Sequence, residues 1–147
     1  MTALSWIRSH VEVLLQREWD VCRVPTDAEG HFPYRRGTAA CWVTVLDSDP
    51  IMVRVVAHAA RGIKPTLGVL REINELQTRA LSVRIAHVNG LVVVSQTISP
   101  LGLTEAVLSQ ALEDVGSVAA DIGPLFAALF GGVTPFAAAE ASDEEIS

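Results

Sequence analysis

Two cysteines, four histidines and an adjacent pair of arginines are the side chains from which chemistry would most readily be built in this 147-residue chain. Cys22 and Cys41 do not form a CxxC pair, so they read as two reduced thiols. His10, His31, His58 and His87 scatter over a helix, a turn and two strands, and at His58 no cysteine or carboxylate has a spacing that suggests a metal site. His87 falls on an apolar strand face near a hairpin end, where a hydrogen-bonded structural histidine is expected. No Gly-rich phosphate loop, GxSxG, HExxH or HxE…PCxxC occurs in the sequence. The expectation is no catalytic residue, no metal site and no cofactor.

Arg35 and Arg36 stand in "PYRRGTAACWVTVL", Pro33 to Leu46. Three roles compete for them: an export signal, a phosphate clamp, or the entry to a strand. Twin-arginine signals sit near a chain start, which excludes the first. The charge balance argues against the second. Of 17 acidic side chains, Glu140, Asp143, Glu144 and Glu145 fall in the last eight residues, and the remaining 13 face 11 basic ones. A near-neutral body with an acidic tail lacks the basic surface that counterion release on nucleic acid requires. Residues 1–19 lack the basic start and continuous apolar core of a signal peptide, and the uncharged run Ile122 to Ala139 is broken by Gly123-Pro124, Gly131-Gly132 and Pro135. Neither nucleic acid nor membrane is an expected partner, and the expected location is the cytoplasm.

The elements that position these residues follow from periodicity. Leu4, Ile7, Val11 and Leu14, widened by Leu15 and Trp19, mark an amphipathic helix that Thr2 or Ser5 can cap. Val21 to Pro25 is a short strand candidate, "DAEG" (Asp27 to Gly30) a turn, and Phe32 to about Leu46 a long strand in which Gly37 reads as a bulge or bend. "DSDP" reverses the chain into a strand from Ile51 to Ala60. If paired positions sum to 98, Val43 faces Val55, Val45 faces Val53 and Cys41 faces Ala57, and one sheet face becomes wholly apolar. That register also sends Cys41 and His58 to opposite faces, which rules out a dyad between them.

A second helix opens at Pro65-Thr66 and runs to about Thr78 on Val69, Ile73 and Leu76. Asn89-Gly90 between two β-branched runs is a two-residue hairpin turn. Partners there sum to 179: Ile85 with Val94, Val83 with Gln96 and Leu81 with Ile98 on one side, Arg84 with Ser95 and Ser82 with Thr97 on the other. Leu108, Leu112, Val115, Ala119, Ile122, Phe126 and Leu129 form an apolar stripe over three heptads. Gly131-Gly132 ends that helix and Pro124 is expected to bend it. The order α-β-β-β-α-β-β-α describes an α+β domain, a five-stranded antiparallel sheet packed against helices. One domain is expected over residues 1–133, followed by a flexible acidic tail, 134–147.

The sheet face opposite the apolar one is mixed. Trp42, Val56, Ala86 and Val93 alternate with Thr44, Arg54, Arg84 and Ser95, too apolar for a solvated face and too polar for a core. Such a surface, with Arg35 and Arg36 at its rim, suits protein or peptide recognition. The competing expectation is that the second helix or another subunit covers it, since homodimers are common.

That element order is also the one found in type III secretion chaperones, and the chain resembles the bacterial YbjN-like proteins and the chaperone-like domains grouped with them. The resemblance rests on "DAEGHFPYRRGTAACWVTVLD" (Asp27 to Asp47), "REINEL" (Arg71 to Leu76), "VNGLVVVSQ" (Val88 to Gln96), "EDVGSVAAD" (Glu113 to Asp121) and "FGG" (Phe130 to Gly132). It covers nearly the whole chain apart from the tail. It implies a non-enzymatic homodimer that holds an extended segment of a partner protein, with no catalytic residues to carry over. The alternatives are a structural subunit whose sheet face serves oligomerisation and a small-ligand-binding protein.

Overall fold

The computed structural model describes residues 2–137 of the chain. Thr2 starts helix α1 (Ala3–Glu18), its hydroxyl accepting the Ser5 backbone N–H at 3.1 Å. The helix ends through Asp20, at φ 51°, with the Val21 N–H returning to the Gln16 carbonyl at 3.1 Å. Gln16 also donates to the Cys22 carbonyl. These backbone groups are thus spent on closing α1, and Val21 to Pro25 is irregular chain instead of the expected strand.

The missing strand is recovered from Phe32 to Leu46. The chain folds back at Gly37-Thr38 into β1 (Phe32–Arg36) and β2 (Ala39–Leu46), pairing Arg36 with Ala39 and Phe32 with Val43. Only the first central residue has a positive φ, 56° at Gly37, which is the arrangement of a type II′ turn. The glycine is therefore a hairpin corner and not a bulge. β2 pairs with β3 (Met52–Ala60) in the expected register, Val43 opposite Val55 and Cys41 opposite Ala57.

Helix α2 (Leu67–Gln77) is capped by the Thr66 hydroxyl. The Asn89-Gly90 turn joins β4 (Arg84–Val88) to β5 (Leu91–Ile98), again in the expected register for Arg84 with Ser95 and Ile85 with Val94. The ladder stops at Arg84, short of the Val83 and Leu81 pairings. Gln77 is the reason: its side-chain amide donates to the Ala80 and Val83 carbonyls at 2.9 and 2.7 Å and accepts the Ile85 N–H at 2.7 Å. Leu81 is left 92 % exposed. A short 3-10 turn at Pro100–Gly102 then leads into α3 (Glu105–Phe130), which runs unbroken through Pro124 to a left-handed Gly131.

Among the described residues the sheet is five-stranded and antiparallel, in the order β1-β2-β3-β5-β4. Of its odd-numbered β2 and β3 residues, Ala39, Cys41, Val43, Val53, Val55, Ala57 and Ala59 are at most 1 % exposed, and Val45 is partly buried. They meet α1 and α3, whose Val11, Leu15, Leu108, Val115, Ala119 and Phe126 complete the core. Each fully buried aliphatic side chain there contributes about 1.5–3 kcal/mol before chain entropy is subtracted. Leu129, the last member of the α3 stripe, is 59 % exposed. Small residues let α3 approach β3: a Cβ on Gly123 would stand 2.3 Å from the Ala59 carbonyl oxygen. His87 is structural as expected, its Nε2 2.6 Å from the Ile63 carbonyl.

Beyond α3, Val133 forms a two-way backbone bridge with Arg61, and the Phe136 N–H donates to the Thr38 carbonyl at 3.1 Å. Residues 134–137 of the expected tail thus run past the end of the sheet toward the β1–β2 corner, while Glu140, Asp143, Glu144 and Glu145 lie outside the described residues. Among the described residues no helix is long and apolar enough to cross a membrane.

Candidate functional site

The turn at Gly37-Thr38 decides which side chains share the second face of the sheet. Paired positions of β1 and β2 sum to an odd number, so even-numbered β1 residues join odd-numbered β2 residues. Phe32, Tyr34 and Arg36 therefore face the helices, and Pro33 and Arg35 join Ala40, Trp42 and Thr44 on the open side. The two predicted arginines part company. Arg36 makes a two-pronged ion pair with Glu113 of α3 at 2.6 and 3.0 Å, a bond that raises its pKa, and it belongs to the helix packing. Arg35 donates to the Gly37 carbonyl and lies over the Phe136 ring, 4.3 Å from its centre.

The open face continues through β3 and β5 to β4. Trp42 pairs with Val56, Thr44 with Arg54, Val56 with Ser95 and Ser95 with Arg84, so the predicted residues other than Arg36 come together. Among the described residues no helix lies over them. α2 makes its contacts with β4, and its Gly68 backs onto Phe130 at the end of α3, on the helix side. Arg54 and Arg84 are exposed, Trp42 and Val56 half-buried. Neither arginine has a carboxylate within 4.0 Å among the described residues.

Thr44 plays a different part from its neighbours. It is 7 % exposed, and its hydroxyl is 3.5 Å from the Arg54 carbonyl, so it forms the floor of the face. A groove of about 500 Å³ runs over Trp42, Val56 and His58, walled by Asp27, Glu29 and His31. A second, of about 640 Å³, lies between Arg54, Arg84, Thr97 and Leu81. The ring of His58 meets Trp42 edge-on at 4.6 Å. Burial, reinforced by the Arg61 charge, lowers the His58 pKa, and its buried Nδ1 has no hydrogen-bond partner among the described residues.

Neither cysteine joins this surface. Burial lifts the Cys41 thiol to about 11, and the nearby Tyr34 phenol, also raised by burial, donates to the Leu112 carbonyl at 3.1 Å. The ligand atoms of Asp27, Glu29 and His31 fall within 4.8 Å of one another in an exposed turn. Asp27 already accepts the Glu29 and His31 backbone N–H groups at 3.0 and 2.8 Å, which accounts for the cluster as turn structure. The contribution of this loop and of Phe136 to the rim escaped the sequence reading, since neither belongs to a periodic element.

Both lateral edges of the sheet are obstructed. With Arg36 and Ala39 flanking a tight turn as the bonded pair, the outward-pointing backbone positions of β1 are Pro33 and Arg35, and proline offers no N–H. On β4 the outward Ile85 N–H is taken by Gln77. An incoming extended chain finds the face more open than either edge.

No curated protein matches the chain. Its fold is shared with a chain in the crystal structure of the ExsC–ExsE complex, at a TM-score of 0.65 and 14% sequence identity, covering 86% of this chain and 97% of that one. Residues 5–138 match the family model described as T3SS (YopN, CesT) and YbjN peptide-binding chaperone 1, and the chain belongs to that family.

Proposed function

We propose that the open sheet face holds an extended segment of a partner protein, with Trp42 and Val56 supplying apolar contact, Arg54, Arg84 and Arg35 polar anchors, and Thr44 the floor. The observation that carries this is the uncovered apolar surface interleaved with arginines that have no ion-pair partner among the described residues. The peptide-binding description of the family supports it, as does a structural neighbour from a two-protein complex. The protein works by holding and not by catalysis, as a cytoplasmic homodimer built on a domain of residues 1–133.

Trp42→Ala and Arg54→Glu are expected to abolish capture of a mass-spectrometrically identified partner while circular dichroism stays unchanged. Capture equal to wild type by both variants would remove the assignment. The competing reading, an oligomer interface on the same face, rests on the half-exposed Trp42. Light scattering separates the two, because monomers produced by Trp42→Ala would assign the face to self-association.

A further inference from the structure

The open face is positive in a protein that is not. The formal charge of the chain is −6, yet none of the five strands holds an aspartate or glutamate, and their fixed charges are Arg35, Arg36, Arg54 and Arg84. Arg36 is paired with Glu113, whereas Arg54 and Arg84 are exposed and, among the described residues, have no carboxylate within 4.0 Å. β5 separates the two and places Ser95, opposite Arg84, and Thr97, opposite Arg54, on the same face. Asp27 and Glu29 line the groove over Trp42, and among the described residues no carboxylate lines the groove between the arginines. Arg54 lines both grooves, which makes them one path from an apolar end with acidic walls to a cationic end with hydroxyls between its charges. With both sheet edges obstructed, a segment lying on this path gains no ladder of backbone hydrogen bonds and is selected by its side chains.

We propose that the segment held on this face is acidic, an extended stretch that sets an apolar side chain over Trp42 and carboxylates two and four residues along it on Arg54 and Arg84.

The spacing follows from the sheet. Trp42, Val56, Ser95 and Arg84 form one row across β2, β3, β5 and β4. Arg54 lies one strand from Trp42 and Arg84 three, about 5 and 14 Å across the sheet at about 4.8 Å per strand. A segment crossing the strands, extended at about 3.3 Å per residue, turns every second side chain toward the sheet, at about 7 and 13 Å from the first. The offsets are small against the length of an arginine side chain. Carboxylates at the Trp42 end would meet Asp27 and Glu29, so like-charge repulsion fixes which end of the segment is acidic. Each exposed arginine–carboxylate pair is worth about threefold in affinity, and two about tenfold, both screened by salt. The inference rests on the partner-holding function proposed above and adds the chemical class of what is held.

The test uses short fluorescent peptides that carry Leu-Ser-Glu-Ser-Glu in a serine background, in both chain directions, titrated into the full chain by anisotropy. The better Glu peptide is expected to bind about tenfold more tightly than its Gln counterpart, with the Lys counterpart weaker still. The difference should vanish in about 1 M salt, and amide shifts should fall on Ser95, Thr97 and Arg84 with Glu113 unmoved. In a full chain carrying Arg54→Glu and Arg84→Glu the order is expected to invert, Lys over Glu, an inversion that loss of fold cannot produce. Equal affinity of the Glu and Gln peptides, with shifts still on the open face, would overturn the acidic class and leave the partner-holding function standing. Absence of binding by every peptide, with the identified partner still captured by wild type, would do the same. Shifts confined to the helix side would overturn the site, and a fall in light-scattering mass on adding the Glu peptide would give the face to a second copy.

Discussion

His58 shows how a single residue reports on the state of the open face. Its ring is wedged against Trp42, its buried Nδ1 has no hydrogen-bond partner among the described residues, and burial aided by Arg61 holds its pKa below the ordinary 6.5. The folded protein therefore keeps the imidazole neutral at pH values where the unfolded chain already binds a proton. The unfolded state takes up more protons as pH falls below 6.5, so stability drops in the acid direction until the folded pKa is passed. Urea midpoints measured from about pH 7.5 to about pH 5.5 are expected to fall, with a smaller slope in His58→Asn. An identical slope in the variant would assign the acid sensitivity elsewhere. At this scale the sequence is a partial guide. It separates Cys41 from His58 through strand parity, and it places His87 in a structural role. It does not separate Arg35 from Arg36, because their faces depend on a turn that neither residue announces.

Elements differ in how openly the sequence declares them. Asn89-Gly90 demands a positive φ at both central positions and is visible at once, and the β2–β3 register follows from requiring one apolar face. The Gly37-Thr38 corner needs a positive φ only at its glycine and lies inside a run of strand-forming residues, so it passes for a bend. A missed two-residue turn inverts the parity of everything before it, which is why Arg36 changes sides. The start of β4 is hidden for another reason. It is fixed by one side chain, Gln77, satisfying three backbone groups of a segment that follows it. Gln77→Ala is expected to cost about 1–3 kcal/mol in urea unfolding and to strip the Ile85 amide of protection in hydrogen exchange. Protection equal to wild type would mean that α2 itself, and not its amide, shields the edge of β4.

Among the described residues the molecule is a sheet with one face closed by helices and the other open, and its tolerance is low where α3 approaches β3 at Gly123. A methyl group on Gly123 would collide with the Ala59 carbonyl, a backbone atom that cannot swing aside. Gly123→Ala is expected to lower stability by about 1–3 kcal/mol, measured as a fall in melting temperature. Gly102→Ala, where nothing lies within 4 Å, serves as a control and should be nearly neutral. Equal melting temperatures in the two variants would show that α3 can lift without loss. α3 meets Arg36 through Glu113 and Gly116 on one side of this contact and Gly68 through Phe130 on the other. The same helix thus reaches β1 from its first half and α2 from its end, and so bridges two elements that share no hydrogen-bond ladder.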